Sequence, residues 1–268
     1  MEGIKNALGL EGQKALIVGG GFGIGRQTAR LLADAGAKVA VADIDEGRAR
    51  AVAEEIGGHA IVGDVMSPDG ARAIVDEAHA KLGGLSRLAN IIGGVSMKRF
   101  IDTDADHWRQ QLEFNLIQQM NVCHAAGRHM LAEGGGSIAM VSSVSAYWGA
   151  RSMITYGASK AALNSVARTL ADEWGPHGIR VNTIAPDNTA TSRIIGRSGT
   201  TEEETFARLD ASAAEEGVPL QRGGREHEQA GALLFLLSDL SSFMTGQCLV
   251  VDGGALVHFP RKALDLVP

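Results

Sequence analysis

The sequence predicts an α/β fold: a doubly wound parallel sheet of about seven strands, helices on both faces, in a single domain over residues 1–268. Three observations lead there. Short apolar runs alternate with longer segments of helical periodicity along the whole chain. The runs are apolar throughout, as in strands buried on both faces. Glycine is abundant (35 residues) and proline scarce (6), which suits many tight strand-helix turns.

The expected strands, in order, are "KALIV" (14–18), "KVAVA" (38–42), "HAIVG" (59–63), "RLANII" (87–92), "SIAMVS" (137–142), "IRVNTIA" (179–185) and "CLVVDG" (248–253). Segments such as "GRQTARLLADAG" (25–36) and "DGARAIVDEAHAKLG" (69–83) carry apolar residues at helical spacing between them. No linker or repeat divides the chain. Residues 189–218 are polar and rich in Ser, Thr and Glu. They read as a loop with a short helix, an insertion of the kind that forms substrate lids.

A net charge of -6 without a Lys/Arg stripe argues against a nucleic-acid partner. No apolar run approaches the ~20 residues of a membrane span, and the first residues lack a signal-peptide core. Cys123 and Cys248 fit buried thiols in a reducing compartment. The expectation is a cytoplasmic protein acting on a small molecule.

The first strand runs into "GGGFGIG", with Gly19, Gly23 and Gly25 spaced G-x-x-x-G-x-G. Glycine here lets backbone approach a pyrophosphate resting on the next helix's N-terminus. A plain strand-helix turn uses the same residues, and G-x-G-x-x-G is not matched. The second strand ends in Asp43, about 20 residues on, where a dinucleotide fold places an acid for the ribose hydroxyls. Asp43 would repel a 2′-phosphate, and Phe22 offers no cation, so the reading is NAD. Helix capping is the alternative use of Asp43, one that Asp45 serves equally well.

In "TYGASKAAL" (155–163), Tyr156 and Lys160 stand four apart among small residues, hence on one helical face. An ammonium near a phenol lowers its pKa from ~10 towards use as a base. Alone, such a pair is usually structural. Joined to the glycine turn and Asp43, it points to catalysis. His124 and His129 lie five apart and no H-E-x-x-H occurs, so no metal site is expected. Trp108, Trp148 and Trp174 read as core or interface residues, with Trp148 also a pocket candidate.

These motifs together resemble the classical short-chain dehydrogenases/reductases over nearly the whole chain. "YGASK" is similar to the family's Tyr-x-x-x-Lys motif, and Ser143 in "IAMVSSVSA", thirteen residues before Tyr156, to its serine. Asn115 in "FNLIQQM" resembles its asparagine, and Asp64 in "GDV" its adenine contact. "TGQCLVVDGG" resembles its C-terminal signature. The resemblance implies a Rossmann-like fold, NAD as cofactor, and catalysis by Asn115, Ser143, Tyr156 and Lys160. It implies a cofactor cradle of Gly19, Phe22, Gly23, Ile24 and Gly25 at the turn. Asp43, Ile44, Asp64 and Val65 would follow the next two strands, and Asn90 and Gly93 the fourth. Tyr156, Lys160, Pro186, Thr189 and Thr191 complete the set. A homotetramer is implied, built on helices around 115–130 and 156–174.

Three positions depart from the family pattern. Val18 replaces the usual Thr. "NIIG" replaces "NNAG", putting Ile91 in place of the second Asn, with altered packing as the expected result. Asp187 follows Pro186 where Gly is usual. Either its carboxylate turns away and caps the start of the lid, or it lies beside the nicotinamide and favours NAD+ over NADH.

Val95, Ser96, Met97, Ser145, Tyr147 and Trp148 are expected to line the substrate pocket. Asn188, Ile194 and Ile195 would add to it from the lid. The mix is largely apolar and lacks an Arg clamp. A secondary alcohol or ketone on an alicyclic, aromatic or steroid-like frame fits. A 3-oxoacyl thioester reductase and a non-catalytic NAD-binding scaffold are the alternatives.

Overall fold

The computed structural model describes residues 2–191 and 199–257. Seven strands form one sheet: β1 (Lys14–Val18), β2 (Lys38–Asp43), β3 (His59–Val62), β4 (Arg87–Asn90), β5 (Gly136–Val141), β6 (Ile179–Pro186) and, last in the chain, β9 (Cys248–Val251). Their order is β3-β2-β1-β4-β5-β6-β9, parallel at every pairing. The order reverses between β1 and β4, so a crevice opens at their carboxyl ends. A separate parallel pair joins β7 (Thr189–Ala190) to β8 (Gly224–Arg225).

Helices cover both faces, and alternation along the strands decides which core each residue joins. Leu16 and Val18 of β1 pack with Ile74, Val122 and Leu163, from α4 (Pro68–Leu82), α6 (Gln118–Glu133) and α7 (Ile154–Trp174). Ala15 and Ile17 face the other way, towards Leu32 and Val52 of α2 (Gly23–Asp34) and α3 (Glu46–Ile56). Leu233 and Leu236 of the C-terminal α9 (Glu226–Leu237) join that second core. The short α1 (Glu2–Leu8) and α5 (Ala105–Leu112) complete the helices up to residue 189 among the described residues.

Local chemistry sets the helix ends. Asp45 caps α3 by accepting the Arg48 N–H at 3.0 Å, so the cap is Asp45 and not Asp43. Ser67 caps α4 at Gly70, and Pro68 sits at the first helical position. The 189–218 segment holds more helix than expected. Thr201 and Glu204 form a capping box that starts α8 (Glu202–Glu215). Among the described residues no helix is long and apolar enough to cross a membrane.

Candidate active site

The glycine turn lies at the end of β1. Gly19 and Gly23 have φ of +79° and +57°, a region costly for other residues. A Cβ on Gly25 would stand 2.0 Å from the Gly19 carbonyl oxygen. Phe22 occupies the N-cap of α2 and gives no side-chain cap. The first N–H groups of α2 are thereby left for an anion. This chemistry fits a dinucleotide pyrophosphate.

Asp43 stands at the end of β2. Its Oδ2 accepts the Gly21 N–H at 3.1 Å and its Oδ1 the Asp45 N–H at 3.0 Å. One sequence expectation needs correction here: Phe22 does bring a cation, because the Arg48 guanidinium lies 4.7 Å from its ring centroid. Ile44 is exposed and Ile24 half-buried. After β3, exposed Asp64 accepts the Met66 N–H at 2.9 Å, while Val65 is buried.

The fourth strand end is built differently from its expected role. Asn90 is fully buried. Its amide donates to Gln118 Oε1 at 3.2 Å, and its oxygen accepts the Ile92 N–H at 3.3 Å. The side chain is sealed into the fold, which leaves the backbone as the part of Asn90 that a ligand could meet. Gln118 and Gln119 also donate to the Ile92 carbonyl, at 3.1 and 2.8 Å. Sequence reasoning passed over both glutamines; two adjacent amides at the start of a helix were the available signal. Ile91 packs into the second core, and its N–H bonds the Val18 carbonyl at 2.9 Å. The "NIIG" departure is thus a packing change.

Asn115, Ser143, Tyr156 and Lys160 are brought to one end of the sheet. Asn115 lies in a π-helical turn (Glu113–Ile117) between α5 and α6, a distortion frequent at functional sites. Its amide donates to the carbonyls of Gly94 and Gln111, both at 3.0 Å, and its oxygen accepts the Gly94 N–H at 2.9 Å. Lys160 is 1% exposed, and its Nζ donates to the Val141 carbonyl at 2.7 Å. Gly93 sits between the two. A Cβ there would be 2.8 Å from Lys160 Nζ and 3.1 Å from Asn115 Oδ1.

The Ser143 side chain acts on the Tyr156 phenol and lowers its pKa, while the Ser143 Oγ accepts the Ser145 N–H at 3.2 Å. The ring centroid of Tyr156 lies 5.6 Å from Lys160 Nζ. Burial raises the phenol pKa, with the Ser143 side chain opposing it, so the expected lowering by lysine is not what dominates here. Burial also brings the Lys160 pKa down to about 7. Small residues make this packing possible: a Cβ on Gly157 would lie 2.9 Å from the Ser145 carbonyl oxygen.

The loop after β4 is tied to the one before α7 by Lys98 N–H to the Ser152 carbonyl at 2.9 Å. Val95, Met97, Tyr147 and Trp148 are exposed along these loops, Ser96 is half-buried and Ser145 buried. Ile194 and Ile195 lie outside the described residues. Asn188 is exposed.

After Pro186, the Thr189 hydroxyl is turned back to the Asp187 carbonyl at 2.9 Å, and Thr191 is half-buried. Asp187 lines a small cavity of about 20 Å³ with Glu216, Val218, Arg222 and Asp252, about the room of one water. Burial raises its carboxyl pKa, and the carboxylates of Asp252 and Glu216 add to the effect. Arg222 is engaged by Glu228, at 3.0 Å from Oε2.

The remaining sequence candidates are structural. Trp174 packs on Gly127, where a Cβ would lie 2.4 Å from the ring. Trp108 stacks on Phe100 with centroids 5.6 Å apart. His129 bonds Asp76 at 2.7 Å and stacks on His79, and His79 bonds Glu133 at 2.5 Å, which ties α4 to α6. Among the described residues no group of His, Cys, Asp and Glu is arranged to hold a metal ion.

A family model described as "Enoyl-(Acyl carrier protein) reductase" matches residues 19–256. The cis-4-hydroxycyclohexanecarboxylate dehydrogenase of Sinomonas cyclohexanicum is 35% identical over 247 residues, 90% of this chain and 95% of the relative. A short-chain type dehydrogenase/reductase from Mycobacterium marinum superposes with a TM-score of 0.82 at 33% identity, covering 92% of this chain and 96% of the other. A 7α-hydroxysteroid dehydrogenase complexed with NADH and 7-oxo glycochenodeoxycholic acid superposes with 0.83 at 34% identity, covering 93% and 96%. The chain belongs to the classical short-chain dehydrogenase/reductase family, oxidoreductases that bind nicotinamide cofactors.

Proposed function

We propose that this enzyme interconverts a secondary alcohol and a ketone on a largely apolar frame, using NAD. The observation that carries the reading is the Ser143 hydroxyl acting on the Tyr156 phenol, on the helix that also carries a sealed Lys160. A hydroxyl pair presents both a proton carrier and a hydrogen-bond donor to one substrate oxygen.

When bound, the nicotinamide supplies a hydride acceptor and, in its oxidised form, a positive charge. The chain's residues do the rest. Tyr156 takes the alcohol proton, and Ser143 donates to the substrate oxygen as its charge develops. Lys160 stabilises the phenolate and holds the cofactor ribose. Asn115 keeps the Gly94 loop and a proton path to Lys160 in place. Gly19, Gly23, Gly25 and the start of α2 hold the pyrophosphate, and Asp43 the adenosine ribose. Residues 189–218 form the lid, and the assembly is a homotetramer.

Exposed Val95, Met97, Tyr147 and Trp148 favour an alicyclic or steroid-like substrate. So do the names of the cyclohexane-acid and hydroxysteroid relatives. An acyl-thioester reductase is the second reading, carried by the family model's description. The test is a panel of alicyclic and steroid alcohols with NAD+ and NADP+, against 3-oxoacyl thioesters with NADH and NADPH. Turnover of a cyclic alcohol with NAD+ supports the proposal. Turnover confined to thioesters with NADPH replaces it with the second reading.

A further inference from the structure

The adenosine end of the expected cofactor site holds two opposed devices. Dinucleotide folds recognise a free ribose with an acid and a 2′-phosphate with a nearby arginine. Both residue types stand here against Gly21. A Cβ built on Gly21 would lie 2.8 Å from Asp43 Oδ2 and 2.8 Å from Arg48 Cβ. The space beside Gly21 is therefore filled by both a carboxylate and an arginine stem.

The arginine is held in place. Its guanidinium lies over the Phe22 ring at 4.7 Å, a contact that orients the fork while leaving its edge free. Phe22 is itself fixed, as the N-cap residue of α2 in extended conformation. Arg48 has one ionic neighbour, Asp45, with Nε 3.6 Å from Oδ2. That distance is longer than a hydrogen bond. The Asp45 carboxylate is committed to the Arg48 backbone N–H, which caps α3. Among the described residues neither Nη nitrogen has a hydrogen-bond partner.

Asp43 is committed too. Each of its oxygens already accepts a backbone N–H, from Gly21 and from Asp45. The carboxylate is thereby locked at the strand end, and its charge faces whatever occupies the notch. We propose that Arg48, seated on Phe22, is a second specificity determinant at the adenosine ribose, and that Asp43 alone keeps it from accepting a 2′-phosphate. The inference rests on the NAD reading above and adds that cofactor choice hangs on one carboxylate. A guanidinium fork suits a phosphate monoester, so removing Asp43 should expose a phosphate site that already exists.

The test is calorimetric titration with ADP and with adenosine 2′,5′-bisphosphate, neither of which reports turnover. Five proteins are compared: wild type, Asp43→Ser, Arg48→Ala, the double variant of these two, and Arg48→Lys in the Asp43→Ser background, each checked for an unchanged unfolding midpoint. Wild type should bind ADP more tightly than the bisphosphate. Asp43→Ser should bind the bisphosphate about tenfold more tightly than wild type does, the size of one charge-assisted contact. The gain should shrink as salt is raised and vanish in the double variant. Arg48→Lys in the Asp43→Ser background should keep only part of it, since charge remains but the fork is lost. If the double variant binds the bisphosphate as tightly as Asp43→Ser, Arg48 is not its partner and the proposal is overturned. No gain in Asp43→Ser also overturns it, while a wild-type preference for ADP would still support NAD. If wild type prefers the bisphosphate, the NAD reading fails, and loss of that preference in Arg48→Ala would still uphold Arg48 as the phosphate partner.

Discussion

Two ionisable groups are set into the fold near the carboxyl ends of the strands, and they answer burial in opposite ways. Lys160 is sealed, and its Nζ rests on the Val141 carbonyl. Asp187 is half-buried, and the charges that act on it are the carboxylates of Asp252 and Glu216. Burial pushes both towards neutrality, the lysine down to about 7 and the aspartate upward. The lesson is that desolvation alone can tune a group when the fold withholds a counter-charge. The lysine gains a pKa near physiological pH. The aspartate gains a stored repulsion from Asp252 and Glu216.

The comparison is broken most severely at the lysine's partner. Tyr156→Phe should lower kcat by about 10²–10⁴-fold, the range of a lost general acid-base group, while NADH binding, read by fluorescence, stays within about threefold. Near wild-type turnover would remove Tyr156 from the chemistry.

Gly93→Ala inserts a methyl at 2.8 Å from Lys160 Nζ and 3.1 Å from Asn115 Oδ1. Displacing both groups should cost about 10²-fold in kcat/KM. Gly149→Ala meets nothing within 4 Å and serves as the control.

Lys160→Met sharpens the contrast through stability. The lysine's folded pKa lies below its unfolded value of ~10.4. Between about pH 7 and 10 the unfolded chain therefore binds more protons, and wild-type stability rises with pH. Relative to Lys160→Met, wild type should gain on the order of 1–3 kcal/mol from pH 6.5 to 9 in urea titrations. A constant difference would show that the site is not desolvated.

Asp187→Asn gives the smallest effect, with the opposite sign. Its folded pKa is raised, so the folded chain holds the proton longer and stability falls as pH rises from the unfolded towards the folded pKa. The variant should exceed wild type by ~1 kcal/mol or less at pH 7.5, since a half-exposed charge is screened, and the difference should close by about pH 3.5. A variant less stable than wild type at pH 7.5 would mean that the carboxylate makes a stabilising contact.

What the sequence revealed follows from how far each constraint reaches along the chain. The glycine turn, Asp43 and the Tyr156–Lys160 pair are local, set by sterics or by one helical turn. They could be read from spacing. The cavity beside Asp187 joins positions 187, 216, 222 and 252, which no local pattern links. Arg48 was missed because its meaning depends on folding back over Phe22. Asn90 resembled a cofactor contact, but its amide is turned to Gln118, on a helix 28 residues later. Asn115 was reached by resemblance alone, because the turn that carries it departs from helical periodicity.

That turn limits how the chain can change in length. A π-helical turn holds one more residue than the α-helix around it. Deleting a single residue anywhere in Glu113–Ile117 would let α5 and α6 fuse into one regular helix, a local gain in hydrogen-bond geometry. Each helical residue turns by about 100°, so the amide that now grips Gly94 would swing out of register with it. Away from Asn115, substitution is open to this segment, whereas an indel would trade the site's alignment for a better helix.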